Sequence, residues 1–177
     1  MNNPDLSTLK ENLDSSIKIV RQFQTNTLAN IKIQSLLNLT VYALATRLME
    51  GSVKYLVYNY SVIRGDSETK LAILKTELKK FNNPEFENIK KLFSENLDFD
   101  IIHGKTIGKF NDRDISFLNE IIKNRHRNVH ASEDSTTWFN ANQKGLADFD
   151  KEYEGLINIL DYLEDLKWDS ITLKFYL

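Results

Sequence analysis

The hydrophobic positions of the chain recur mostly at intervals of three and four residues, the spacing that buries one face of an α-helix. The first such stripe spans residues 6–23, with Asp5 or Ser7 as the candidate cap of its helix. Between residues 29 and 63 apolar side chains occupy more than one face. This second segment therefore predicts a long central helix buried on several sides, with Gly51 as a candidate bend.

Glycine, proline and helix-capping residues divide the rest of the chain into further helices. Gly65 predicts the end of the central helix, and Ser67 predicts the cap of a third helix over the apolar stripe 71–81. Asn83 and Pro84 predict a cap and a first-turn proline for a fourth helix, with its stripe over 86–93. Residues 96–111 contain two glycines and no sustained period, so they predict irregular structure.

Two more helices are expected in the C-terminal half, followed by an extended tail. Asp112 or Asp114 begins a helix with its stripe over 115–122, and a last long helix covers 146–163. Residues 171–177 then alternate between apolar and polar side chains, which indicates an extended tail that docks on the domain or on a partner. The expected fold class is all-α: one helical bundle over residues 1–177, with a long central helix and a short extended C-terminal tail.

The composition narrows the classes of function. The chain has no cysteine, which excludes disulfides, thiolate nucleophiles and Cys-ligated zinc, and it has no glycine-rich phosphate-binding motif. We therefore expect no cofactor. The longest apolar region is interrupted by charged side chains, so no membrane association is expected and the predicted location is cytoplasmic. A net charge of −2 argues against a general nucleic-acid coat and requires any such site to be local.

Chemistry-bearing residues concentrate in the run Arg-His-Arg-Asn-Val-His at positions 125–130, which holds two of the three histidines of the chain. A histidine titrates near neutrality and moves protons, and an arginine is a permanent cation that can hold a phosphate as charge builds on it. On an ideal helix Arg125 and His130 lie about 140° apart. Either the helix ends between them, or symmetry-related copies complete the site.

Two other interpretations of this run stay open on spacing alone. Cations in the last turn of a helix are favoured by its unsatisfied carbonyl groups, so Arg125 and its neighbours have an ordinary structural explanation. His126 and His130 are also spaced i and i+4, as in a pair of metal ligands. That site needs a third ligand, for which His103, Glu133 and Asp134 are candidates outside any recognised zinc spacing.

The helical layout with a late arginine, a polar residue, three further positions and a histidine resembles the HEPN superfamily, most closely its RiboL-PSP-HEPN type. Arg125, His126 and His130 match that motif, and the chain has about the length of such a bundle. Ala131 departs from the glycine of many members. The glutamate that the family carries on its central helix is matched here by Glu50, although an ordinary i to i+4 ion pair with Lys54 is an equal alternative.

The resemblance implies a metal-independent RNA endonuclease that dimerises and joins two motifs in one cleft. Arg125 is expected to hold the phosphate and His130 to transfer a proton during attack by the ribose 2′-OH. His126, Glu50, Arg127 and Asn128 are expected to support the site by orienting the pair or by binding flanking RNA. A toxin or defence effector restrained by an antitoxin or another regulatory protein is implied, and the alternative is a non-catalytic module that binds RNA, a nucleotide or a protein.

Overall fold

The computed structural model describes residues 4–22, 28–129 and 146–177, and at positions 5, 28–36 and 124–129 it describes the backbone alone. These ranges form seven helices and one two-stranded sheet. The helices are α1 (Pro4–Gln22), α2 (Leu28–Ile63), α3 (Glu68–Lys80), α4 (Phe86–Leu97), α5 (His103–Thr106), α6 (Asp112–Val129) and α7 (Leu146–Glu164), and the strands are β1 (Lys167–Asp169) and β2 (Lys174–Tyr176). The mostly helical class predicted from the sequence is confirmed.

Helix α2 is the centre of the bundle, as its multi-sided apolar pattern predicts. It contacts α1, α3, α4, α6 and α7, so buried residues are found all around it. Thr46 of this helix is fully buried, and its hydroxyl donates a hydrogen bond to the carbonyl oxygen of Tyr42 at 3.0 Å. The helix continues through Gly51, where an added Cβ would lie 3.1 Å from Leu9 Cδ1. The small residue there allows the close approach of α1.

The beginning of α1 differs from the prediction. The helix already includes Pro4, so Asp5 and Ser7 lie within its first turns and neither is its cap. Proline is well tolerated in a first turn because its missing N–H group has no partner there in any case. Tyr153 of α7 donates a hydrogen bond to Asp14 at 2.6 Å, which ties the first helix of the chain to the last.

The turn between α2 and α3 follows the sequence signals closely. Gly65 has φ +84°, a left-handed conformation that favours glycine, and the Ser67 hydroxyl accepts a hydrogen bond from the backbone N–H of Lys70. Asp66 accepts two hydrogen bonds from the Arg64 guanidinium, at 2.9 and 2.5 Å. These bonds to Arg64 and one to Lys70 lower the pKa of Asp66, and burial opposes this lowering only in part.

The prediction for the start of α4 is wrong by two residues. The helix begins at Phe86 with Glu85 as its N-cap, so Asn83 is not the cap and Pro84 is not in the first turn. Residues 81–85 run in irregular conformation, and the Asn83 carbonyl accepts a hydrogen bond from Asn88 Nδ2 at 3.0 Å. The Phe86 N–H, which has no partner inside the helix, donates instead to Asn119 Oδ1 of α6 at 2.9 Å.

The C-terminal residues form a hairpin that packs on the helices. Strands β1 and β2 pair antiparallel with Trp168 opposite Phe175, and the Phe175 ring also contacts Tyr60 at 5.4 Å between centroids. The alternation predicted for residues 171–177 holds only in part, because Ile171 is 91% and Leu173 68% exposed. Both lie in the turn between the strands. The tail therefore docks through Phe175 and not through all its apolar residues.

Of the segment 96–111 predicted to be irregular, residues 98–111 are so except for the single helical turn α5, while residues 96 and 97 belong to α4. Gly104 in that turn is buried, and an added Cβ would lie 2.4 Å from Phe110 and 2.7 Å from Tyr162. Burial and the nearby charge of Asp100 raise the pKa of Tyr162 to about 12, so its hydroxyl stays protonated in this aromatic cluster at neutral pH. No helix within the described ranges is long and apolar enough to cross a membrane.

Candidate functional site

Helix α6 carries most of the predicted motif, and its first turn is fixed by a reciprocal set of hydrogen bonds. Asn111 Oδ1 accepts from the backbone N–H groups of Arg113 and Asp114, at 2.8 and 3.3 Å. Asp114 Oδ2 in turn accepts from the Asn111 N–H at 2.9 Å. This arrangement is a capping box with an aspartate at its third helical position. It sets where the helix begins and therefore the rotational phase of every later residue.

The core-facing stripe of α6 leads directly to the motif. Phe117, Leu118, Ile121 and Ile122 are each at most 2% exposed. Arg125 follows Ile121 by four residues and Ile122 by three, so its backbone lies on the same stripe. An amphipathic helix that served packing alone would continue this stripe with an apolar residue. The change from isoleucine to arginine thus occurs on the side of α6 that faces the bundle.

The remaining motif residues are described to different extents. His126, Arg127 and Asn128 lie within α6, where the backbone alone is described. His130 and Ala131 lie outside the described residues, as do Glu133 and Asp134 of the metal interpretation. Among the described side chains, no group of three histidines, cysteines or carboxylates could hold a metal ion.

Contacts between α6 and α7 show which end of the bundle bears the motif. The two helices are antiparallel, because Arg113 forms a 3.1 Å ion pair with Glu152 and Phe117 contacts Phe149 with a centroid distance of 5.6 Å. If the register of these two contacts is extended by one turn, Ile121 is level with the first described residues of α7. The turns of α6 that follow, including Arg125, therefore extend beyond Leu146 and run beside the N-terminal half of α2.

Tyr42 of α2 places a buried hydroxyl close to α7. The Tyr42 ring packs edge-on against Phe149, and its hydroxyl is buried without a hydrogen-bond partner among the described residues. Burial raises the pKa of Tyr42, and so do the nearby charges of Glu120, Asp148 and Glu152. Two of these carboxylates form ion pairs, Glu152 with Arg113 and Asp148 with Lys151, so both signs of charge are present here.

Glu50 forms an ion pair with Lys54 at 2.6 Å, which is the i to i+4 alternative considered from the sequence. Helices α2 and α7 are parallel, because Tyr42 contacts Phe149 while the Tyr60 hydroxyl donates to the carbonyl oxygen of Leu163 at 2.7 Å. Glu50 is therefore level with the middle of α7, where an added Cβ at position 155 would touch Asp114.

Glu50 thus lies at the level of the beginning of α6, whereas Arg125 is 13 residues beyond Asp112. At a rise of about 1.5 Å per residue, the backbone of Arg125 is on the order of 20 Å further along the bundle. The structure thus brings Glu50 to Lys54 and does not bring it to the backbone of Arg125.

Sequence reasoning missed one polar feature of the described chain, a cleft between the end of α3 and the face of α4. Its signal in the sequence is the run Phe-Asn-Asn at positions 81–83, where two amide side chains follow an aromatic one at a helix end. His103, the third candidate ligand of the metal interpretation, is exposed on α5. Comparisons of the chain with protein-family models, with curated proteins and with solved structures find no match.

Proposed function

We propose that this protein is a metal-independent RNA endonuclease that uses Arg125 and His130. The observation that carries the proposal is the position of Arg125 on the core-facing stripe of α6, where the helix extends beyond the first described residues of α7. A cationic residue at a stripe position that packing alone would fill with an apolar side chain indicates a role other than packing. A phosphate of bound RNA is a partner that suits the planar, bidentate geometry of arginine.

The proposed reaction needs no cofactor. His130 accepts the proton of the ribose 2′-OH as that oxygen attacks the phosphorus, the new 2′-O–P bond forms, and the P–O5′ bond breaks. The leaving oxygen takes up a proton, so the products are a 2′,3′-cyclic phosphate and a 5′-hydroxyl. Arg125 stabilises the charge that develops on the phosphoryl oxygens, an effect worth about 10²–10³-fold for one placed donor.

We propose that two copies of the chain build the complete site. The five-residue separation of Arg125 and His130 corresponds to about 140° on a straight helix, so one copy has difficulty presenting both to the same phosphate. In a homodimer with twofold symmetry, each motif lies opposite its own copy. Glu50 is left out of this arrangement because of its level in the bundle and its ion pair with Lys54.

Cleavage of total RNA in the presence of EDTA tests the mechanism. The wild type is expected to yield fragments with cyclic phosphate ends, while Arg125→Ala and His130→Ala each reduce the rate by at least about 10²-fold. Lys123→Ala is the matched control, since Lys123 is an exposed cation on the same helix, two residues from Arg125. A requirement for added metal, or activity that survives both motif substitutions, would refute the mechanism. Light scattering tests the dimer.

The second candidate function is a non-catalytic module that binds RNA, a nucleotide or a protein partner. The net charge of −2 and Ala131, where many proteins with this motif have glycine, favour it. RNA binding without cleavage by the wild type, weakened by Arg125→Ala but not by Lys123→Ala, would identify this function. For the endonuclease, a toxin or defence role with a restraining protein partner is part of the proposal, and co-purification of a partner that suppresses cleavage is its test.

A further inference from the structure

A cleft of about 330 Å³ separates the C-terminal half of α3 from α4, and both helices pack on α2. The buried Leu92 and the half-buried Phe81 are among the residues that line it. Ile73 extends the same wall, because it precedes Glu77 by four residues and Lys80 by seven, and both of these line the cleft. Ile73 is 65% exposed, more than any other large apolar side chain described in the helices. This side of the α3 and α4 pair therefore leaves apolar area uncovered.

The charged side chains of the cleft are ordered by sign along its length. On α3, Lys80 directly precedes the connecting segment 81–85, and Glu77 is three residues further from it. On α4, Lys91 is nearer to the connecting segment than Glu95 by four residues. A rise of about 1.5 Å per residue separates cations from anions by about 5–6 Å on each helix. The end of the cleft next to the connecting segment is thus positively charged, and the other end is negatively charged.

This order of charges is complementary to itself under a twofold axis. When the axis crosses the cleft between its two ends, perpendicular to the helices, Lys80 of one copy faces the partner's Glu77 and Lys91 faces the partner's Glu95. Each contact occurs twice, because the same patch of both copies takes part. A parallel alignment of two clefts would instead place like charges opposite each other, which is destabilising. Within one copy Lys91 and Glu95 are 3.8 Å apart and mostly exposed, a pair of little strength that leaves both able to face a partner.

We propose that the cleft between α3 and α4 is an interface between two copies of this chain, related by the twofold axis just described. Helix α3 of one copy packs antiparallel to α3 of the other, and α4 packs likewise. The axis lies between Glu77 and Lys80, so Ile73 reaches the level of the partner's connecting segment and covers the partner's Phe81. Burial of these apolar side chains supplies the attraction, and the ion pairs at the rim determine the alignment.

The arginine and histidine motif lies away from this interface. The far end of α4 is near the beginning of α6, since Phe99 and Phe110 both contact Tyr162. The first N–H of α4 donates to Asn119 Oδ1 at 2.9 Å, so the two helices are antiparallel. Arg125 follows Asn119 by six residues and lies about 9 Å beyond the start of α4.

The two copies run antiparallel about the axis, so their motifs lie at opposite ends of this dimer. The interface is therefore a second one, distinct from the contact that would join two motifs in one cleft, and it does not rest on the proposed nuclease. If both contacts form, the assembly is a tetramer with two kinds of twofold contact. If only the cleft pairs, the assembly is a dimer.

The expected association is weak and sensitive to salt. Helices of 13 and 12 residues give a contact face about 20 Å long, which is smaller than the standard interface of about 800 Å² per partner. We expect a dissociation constant on the order of 10–100 µM at low salt. It should rise several-fold between about 50 and about 500 mM NaCl, because salt screens exposed charges.

Sedimentation velocity of the intact chain, over about 5–500 µM so as to bracket the expected dissociation constant, tests the proposal. Lys80→Glu places two carboxylates opposite each other, and Glu77→Lys places two ammonium groups opposite each other. Each should raise the dissociation constant at least about tenfold. The double variant restores unlike charges and should associate within about threefold of the wild type. An equimolar mixture of the two single variants should associate in the same way, although neither does so alone.

Matched controls lie on α1, which packs on α2 and α7 and does not line the cleft. Lys18→Glu changes the charge as Lys80→Glu does and should leave association unchanged. Ile73→Ser should weaken association at least about fivefold through lost apolar burial, whereas Ile19→Ser, at a side chain 52% exposed on α1, should not. Circular dichroism checks that every variant is folded.

A native mass that both Lys80→Glu and Ile73→Ser leave unchanged would overturn the proposal, whether that mass is of a monomer or of a dimer joined at the motifs. Failure of the double variant to restore association would overturn the antiparallel alignment. None of these measurements uses RNA, so a failure of the nuclease mechanism leaves their outcome intact.

Discussion

The close contact between α6 and α7 makes Gly155→Ala an informative perturbation. A Cβ at this position would lie 2.3 Å from Asp114 Oδ1 and 2.8 Å from its Cγ, well inside van der Waals contact. Asp114 cannot simply rotate away, because its other carboxylate oxygen accepts the Asn111 N–H of the capping box. The substitution must therefore displace either the cap or the helix that it begins.

The expected net effect is a loss of stability. Overpacking costs about 1–3 kcal/mol, and loss of the cap costs about 1 kcal/mol. Against this, alanine exceeds glycine in helix propensity by about 1 kcal/mol. Gly155→Ala should therefore lower the free energy of unfolding by about 1–3 kcal/mol. In a chain of this length each kcal/mol corresponds to a fall in Tm of about 2–4 °C.

Urea unfolding of a double-mutant cycle measures the effect. In the Asp114→Ala background the clashing carboxylate is absent, so Gly155→Ala should be nearly neutral, which gives a coupling of about 1–3 kcal/mol. Gly51→Ala is the matched control, because its Cβ would meet only the end of the Leu9 side chain at 3.1 Å. A Gly155→Ala variant more stable than the wild type, or additivity with Asp114→Ala, would refute the proposed contact.

Three further predictions concern the rest of the bundle. Tyr60→Phe removes a buried donor that bonds two carbonyl oxygens of the last helix, and should cost about 0.5–1.5 kcal/mol in urea unfolding. The hydrogen bonds from Arg64 lower the pKa of Asp66 in the folded protein. The ionised carboxylate therefore stabilises the fold above the unfolded pKa of about 4, and this stabilisation is lost as the pH falls through the folded pKa. The stability difference between wild type and Asp66→Asn should therefore shrink between pH 7 and pH 3, and a constant difference would contradict this. Phe175→Ala should lower Tm by several degrees, whereas Ile171→Ser should change stability by less than about 0.5 kcal/mol.

Local signals predicted the helices well wherever a side chain bonds to its own helix end. Ser67 caps α3 and Asp112 begins α6, both as predicted, because such signals depend only on residues close in sequence. The Asn111 cap of α6 was not predicted. At α4 the same logic failed: the prediction placed Pro84 in the first turn, but a bond between the Phe86 N–H and Asn119 of another helix provides the partner. That contact joins positions 33 residues apart, which no local pattern contains.

The candidate site, too, could be predicted from the sequence only in part. The stripe that places Arg125 on the bundle side of α6 follows from helical periodicity and could be predicted. The level of Glu50, in contrast, depends on the register between α2, α6 and α7, which is set by contacts such as Tyr42 with Phe149. The sequence offered the supporting role and the ion pair with Lys54 equally, and the packing shows that the ion pair forms. The cleft beside Asn83 was missed because it depends on two helices meeting.

The hydrogen bonds of the Tyr60 hydroxyl have a consequence for folding during translation. Its acceptors lie 103 and 104 positions later in the chain. At about 5–20 residues translated per second, roughly 5–20 s pass before they emerge. During that interval the apolar faces of the 36-residue helix α2 are not yet packed against α6 and α7. Nascent chains stalled before α7 should thus be clients of holdase chaperones, and release from them should coincide with synthesis of the closing helix.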